Sequence, residues 1–175
     1  MHSVSALPRP QLRLRQVGTV FLGTALLALS SYIEVPMFPV PMTMQTLAVT
    51  FIGAFYGWRL GAITVLAWLG EAAFGLPVLA GGASGFAPFA GPTAGYLMAF
   101  PVAAMVSGLI AGPGNHLLRN LAAMVAGNAI CLMGALWLAR LVGPEMALYL
   151  GVIPFALGAL VKSGIGAVAL ALLRR

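Results

Sequence analysis

Aspartate is missing from this 175-residue chain, and its only acidic side chains are Glu34, Glu71 and Glu145. Cysteine occurs once, at Cys131, and histidine twice, at His2 and His116. Each shortage removes a chemistry. A Ser-His-Asp triad cannot be assembled, and a carboxylate pair would have to come from those three glutamates. A zinc site needs three or four N, S or O ligands. His2 lies in a basic tail and His116 beside a loop, so neither a metal nor a cofactor is expected, and the chain does not read as an enzyme. One cysteine closes no internal disulfide, and Cys131 sits among apolar residues, where it packs as a small hydrophobe.

Charge of either sign is scarce: 7% of residues, against about 25% in a soluble domain. Hydrophobic residues make up 61%, and the mean hydropathy is +1.02. Nine basic and three acidic side chains cannot cover a water-facing surface. This excludes a soluble enzyme and a disordered tail, and it indicates an all-α, multi-pass integral membrane protein of one domain, 1–175. At roughly 20 apolar residues per crossing, the length holds about six spans. The net charge of +6 does not point to nucleic acid, because the basic residues are spread along the chain where membrane topology explains them.

The predicted spans are 17–33, 43–56, 60–74, 92–111, 116–141 and 154–173. Pro36, Pro39 and Pro41 forbid a regular helix over 34–42, since each lacks an N–H and restricts the residue before it. This loop is predicted to be extended and to lie against protein. Gly57-Trp58-Arg59 is a tight turn. Segment 75–91 contains Gly75, Gly81, Gly82, Gly85 and Gly91 without a charge, and reads as a loop packed closely on something. Pro92 suits the first turn of the fourth helix. Gly143-Pro144-Glu145 reads as a turn, 146–153 as a short apolar connector, and Pro154 as the start of the last helix.

Six spans with a cytoplasmic N-terminus place Arg9, Arg13, Arg15, Arg59, Arg119, Arg174 and Arg175 inside and only Arg140 outside. The C-terminus is then cytoplasmic too. Loops 34–42 and 75–91 share the outer face, where two apolar, nearly uncharged loops resemble a lid. Small residues recur every four positions at Ala123, Gly127, Cys131, Ala135 and Ala139, and at Ala159, Ser163, Ala167 and Ala171. Such stripes allow close helix approach, inside the bundle or against another membrane subunit.

Lys162 stands out, eight residues past Pro154 and so roughly 12 Å along a helix. A lysine that deep usually marks an ion or substrate site. Its partner must come from elsewhere, either Glu71 or a substrate carboxylate. Thr43, Gln45 and Thr93 lie near helix ends, Tyr96 one turn after Pro92, and Asn128 inside the fifth helix, where an amide needs a partner. Each can be interhelical glue or a ligand contact. Gly82, Ser84 and Phe89, from the glycine-rich loop, complete the candidate substrate-binding set around an apolar, aromatic cavity.

Several motifs then fall into a known order. Pro41-Met42-Thr43-Met44-Gln45-Thr46, Gly75-Leu76-Pro77-Val78 leading to Gly81-Gly82, Gly91-Pro92-Thr93-Ala94-Gly95-Tyr96, and Pro154-Phe155 with Gly158 and Lys162 resemble the BioY family. The similarity spans nearly the whole chain. The resemblance implies a biotin transporter of the cell membrane, the substrate-capturing S component of an energy-coupling factor (ECF) system, with six helices and an outer biotin pocket. It further implies a transmembrane T subunit and two cytoplasmic ATPases as partners, though some members are encoded without dedicated ones. Membrane lipid surrounds the chain, and the sequence leaves open whether it works with ATPase partners, alone or as a homo-oligomer. One position departs from the family pattern: Ala159 stands where an Asp is expected, which removes an acid one turn from Lys162. Lys162 is then freer to meet the biotin carboxylate, or it donates to the ureido carbonyl. Another vitamin or a small carboxylated metabolite is the alternative cargo.

Overall fold

The computed structural model describes residues 10–114 and 116–174. His2, Arg9, Asn115, Arg175 and the side chain of Arg13 lie outside the described residues. The chain is helical almost throughout: α1 (Pro10–Ser31), α2 (Gln45–Tyr56), α3 (Trp58–Ala73), α4 (Ala94–Ala111), α5 (Leu117–Leu132), α6 (Ala135–Val142), α7 (Pro144–Ala147) and α8 (Ile153–Leu173). Four segments are long and apolar enough to cross a membrane: Leu14–Ser31, Ala94–Ala111, Leu117–Val142 and Pro144–Leu173. α2 and α3 are shorter, 12 and 16 residues, and meet at Gly57, whose φ of +83° permits the sharp reversal.

Three segments differ from the sequence expectation. The proline-rich loop is a small hairpin, because β1 (Glu34–Val35) and β2 (Met42–Thr43) pair antiparallel with Glu34 opposite Thr43. The predicted fifth helix, 116–141, is broken into α5 and α6. At Met133 and Gly134 the backbone N–H groups bond three residues back, to Ile130 and Cys131, so the helix tightens there, within one membrane-length span. The predicted connector 143–153 is helical. Pro144 occupies the first turn of α7, and the π turn Leu148–Val152 runs directly into α8. Pro154 has no N–H for an α bond to residue 150, and the wider turn just before it absorbs that defect.

The core is set by close helix crossings and aromatic plates. Leu27, Val49, Ile52, Val65, Trp68 and Leu138 are fully or almost fully buried. Trp68 stacks on Phe100 with ring centroids 6.1 Å apart. α4 crosses the α5–α6 break at Gly95 and Gly134. A Cβ on Gly134 would lie 2.5 Å from the Tyr96 backbone nitrogen, so no larger residue fits without moving backbone. Ala123, Gly127, Cys131 and Ala135 face inward, as do Ser163 and Ala167. Both stripes therefore serve packing within this chain, although Ala139, Ala159 and Ala171 are only partly buried. α1 is the peripheral helix, and Phe21, Leu22 and Leu29 on it are largely exposed.

Candidate functional site

The hairpin and segment 75–91 close over the same end of the bundle. Prolines keep the hairpin out of helical geometry, and positive φ at Gly81, Gly82 and Gly85 folds the second segment into short turns. The indole of Trp68 donates to the Val78 carbonyl at 3.1 Å, and the Tyr32 hydroxyl donates to the Pro77 carbonyl, so α3 and the end of α1 both hold this roof.

Beneath it is a cavity of about 310 Å³. Val40 and Pro41 come from the hairpin, and Leu79, Ala80, Ala83 and Ala87 from the roof. Thr93, Tyr96, Leu97 and Phe100 descend from the start of α4, and Phe155 comes from α8. Tyr96 and Phe155 stack at 5.7 Å and form an aromatic wall. Thr43, Gln45 and Thr46, where β2 runs into α2, supply the polar surface. A mostly apolar chamber with a few fixed polar groups is the usual form of a small-molecule site.

The polar groups are held before any ligand arrives. Thr43 Oγ1 donates to Gln45 Oε1 at 2.9 Å, and Gln45 Nε2 donates to Ser31 Oγ at 2.9 Å. Thr93 Oγ1 donates to the Pro88 carbonyl at 3.1 Å. The Tyr96 hydroxyl donates to the Gly151 carbonyl at 2.9 Å, tying the aromatic wall to the π turn. We expect Tyr96→Phe to lower stability by about 0.5–1.5 kcal/mol, the typical worth of one such bond. Thermal unfolding of the detergent-solubilised variant measures it.

Lys162 is 8% exposed and stands just behind the cavity floor rather than in its wall. Nζ donates to the Thr43 carbonyl at 2.6 Å and to Thr46 Oγ1 at 3.2 Å. Glu71, one of the two candidate partners, is not among these acceptors; an uncharged acceptor pair at the start of α2 holds the ammonium instead. Two of its three protons are committed, leaving one.

A second void of about 10 Å³, near the space of a single water, adjoins the main cavity through Thr46, Tyr96 and Phe155. Asn128, Cys131, Ala159 and Lys162 also line it. Asn128 Nδ2 donates to the Met124 carbonyl and to Ser163 Oγ, while Asn128 Oδ1 is buried and has no partner among the described residues. A cation with a spare proton and an orphan acceptor therefore flank one small space.

Of the predicted site residues, Thr43, Gln45, Thr93 and Tyr96 line the cavity, and Lys162 and Asn128 line the adjoining void. Gly82, Ser84 and Phe89 line neither; their neighbours Ala80, Ala83, Ala87 and Pro88 do. The short turns of the roof present the small residues inward, and Phe89 packs against the core. Sequence reasoning missed Ser31 and Ser163, each a plain serine in an apolar run.

A bundle of membrane-length helices enclosing an apolar chamber at one end is the architecture of an integral membrane solute-binding protein of the transporter class. The chain belongs to the BioY family, whose model matches residues 4–175. It is 38% identical over 152 residues to a probable biotin transporter BioY of Pyrococcus horikoshii, covering 87% of this chain and 91% of that one. A probable biotin transporter BioY of Rickettsia prowazekii is 31% identical over 147 residues, 82% of this chain and 75% of the relative. The fold matches a crystal structure of the S-component for biotin from an ECF-type ABC transporter. The TM-score is 0.83 at 25% identity, over 96% of this chain and 95% of the other.

Proposed function

We propose that this chain takes up biotin as the substrate-capturing component of an ECF transporter in the cell membrane, without chemical change to the vitamin. One membrane domain of six spans, with α2 and α3 as the two short ones and both termini cytoplasmic, carries the site. The clustering of Arg59, Arg119 and Arg174 at the end away from the cavity supports that orientation. An ECF T subunit and ATPase subunits supply the energy.

The observation that carries the reading is the roofed apolar chamber with a buried lysine behind its floor. Tyr96, Phe155 and Phe100 cover the ring and chain of the vitamin. Thr43, Gln45, Thr46 and Thr93 offer exchangeable hydrogen bonds, and Lys162 supplies the charge for the carboxylate. A second orientation is favoured by the orphan acceptor Asn128 Oδ1 beside Lys162. A ureido group both accepts and donates, so it meets Lys162 and Asn128 together, whereas a carboxylate meets only the lysine.

Titrating detergent-purified protein with biotin tests the cargo. Saturable binding and a raised unfolding temperature are expected. A panel of other vitamins serves as the comparison; stabilisation by one of them and none by biotin would overturn the assignment.

A further inference from the structure

The end of the bundle opposite the cavity gathers positive charge and no acidic side chain. The α2–α3 turn, the α4–α5 turn and the last residues of α8 meet there around an open crevice of about 510 Å³. Tyr56, Trp58, Pro113, Gly114 and Arg174 are among its walls. Arg174 Nη1 donates to the carbonyls of Gly112 and Gly114 and to Asn120 Oδ1, at 3.4, 3.2 and 3.3 Å, and its Nη2 donates to the Ala54 carbonyl. Arg119 straddles the same turn and donates to the Pro113 carbonyl. Arg59 lies over the Trp58 ring, 4.7 Å from its centre.

Carbonyl oxygens satisfy hydrogen bonds but do not neutralise guanidinium charge. The acids are at the far end: Glu34 in β1, Glu71 near the end of α3 remote from Gly57, and Glu145 in α7. Burial, and next the charge of Arg119, hold the Arg174 pKa below the ordinary guanidinium value. Arg119 Nε and Asn120 Nδ2 are buried without a partner among the described residues, and they lie behind the crevice rather than in its wall. Among the described residues, this end of the bundle gathers guanidinium charge with no acidic side chain beside it.

We propose that this crevice binds a phosphate-type oxyanion carried by the headgroup of an anionic phospholipid. Guanidinium forks match phosphate oxygens in geometry. Basic pockets between helix ends are where acidic headgroups reach a membrane protein, and Trp58 and Tyr56 are the aromatic types that sit at headgroup level. The assignment rests on the charge and geometry of this end of the bundle and is independent of what fills the cavity.

The test uses the full-length protein in mild detergent with phosphatidylglycerol, phosphatidylcholine and inorganic phosphate as probes. Native mass spectrometry reads retained lipid, and thermal unfolding reads stabilisation. Phosphatidylglycerol is expected to be retained over phosphatidylcholine. That preference is expected to fall by about fivefold in Arg119→Gln or Arg174→Gln, to persist in Arg119→Lys, and to be unchanged in Arg140→Gln at the other end. Equal retention of the two lipids, or a preference that survives both Gln variants, overturns the proposal. Arginine-dependent stabilisation by inorganic phosphate without a phosphatidylglycerol preference overturns the lipid assignment and moves the oxyanion to solution. Thermal unfolding of the same variants without added lipid reports an intact fold, so loss of lipid preference and loss of folding are read separately.

Discussion

Lys162→Met is expected to weaken equilibrium biotin binding at least about tenfold, because a hydrogen bond to a charged group contributes about 1.5–3 kcal/mol. Methionine keeps the length and apolar stem of lysine, so the variant removes the ammonium with little loss of packing. It also releases the Thr43 carbonyl and Thr46 Oγ1, which the lysine holds in the ligand-free arrangement. Thr46→Val removes one of those acceptors and leaves the charge, and it separates the two contributions: its affinity is expected to fall far less. Biotin amide decides which end of the vitamin meets the lysine. If the carboxylate does, the amide loses affinity for the wild-type protein, and Lys162→Met adds little further loss. If the ureido group does, the two losses add, as they do for independent contacts. Unchanged biotin affinity in Lys162→Met, measured by titration of purified protein, would remove this residue from the site.

The depth of Lys162 was legible because a lysine in a long apolar run has few explanations. Its partners were not, since Thr43 and Thr46 are more than a hundred residues away in the chain and their acceptors are a carbonyl and a hydroxyl. Sequence alone offers Glu71 or a substrate carboxylate as the charge-bearing partner, and a neutral pair leaves no such trace in composition. Prolines and glycines marked both roof segments, because backbone restriction is written in residue type. The inward face of the roof was not marked: φ and ψ at three glycines decide that Ala80 and Ala83 meet the cavity while Gly82 and Ser84 do not. The break between α5 and α6 also escaped notice. Gly134 inside an apolar run is tolerated in a helix, and only the close approach of Tyr96 from α4 reveals what it is for. Pro154 pointed correctly to a first helical turn, yet α7 and the π turn precede it without interruption, because a π turn can accommodate the missing N–H.

Gly134→Ala is expected to damage both the fold and the aromatic wall of the site. The new Cβ would stand 2.5 Å from Tyr96 N, 2.6 Å from Tyr96 Cα and 2.7 Å from Tyr96 Cγ. Two of those atoms are backbone, so the clash cannot be relieved by turning a side chain. α4 and the α5–α6 break must move apart, and overpacking of that kind costs typically about 1–3 kcal/mol. The displacement carries the Tyr96 ring with it, which disturbs its stack on Phe155 and its bond to the Gly151 carbonyl. Biotin affinity should therefore fall together with stability. Gly164→Ala is the internal control: it lies within α8 with nothing within 4 Å of the added Cβ, and replacing a mid-helix glycine there is expected to raise stability by roughly 0.5–1 kcal/mol. Thermal unfolding of the two variants in one detergent, with and without biotin, makes the comparison. Equal unfolding temperatures would mean that the α4 crossing yields to a methyl group, and the aromatic wall would then not be fixed by this contact.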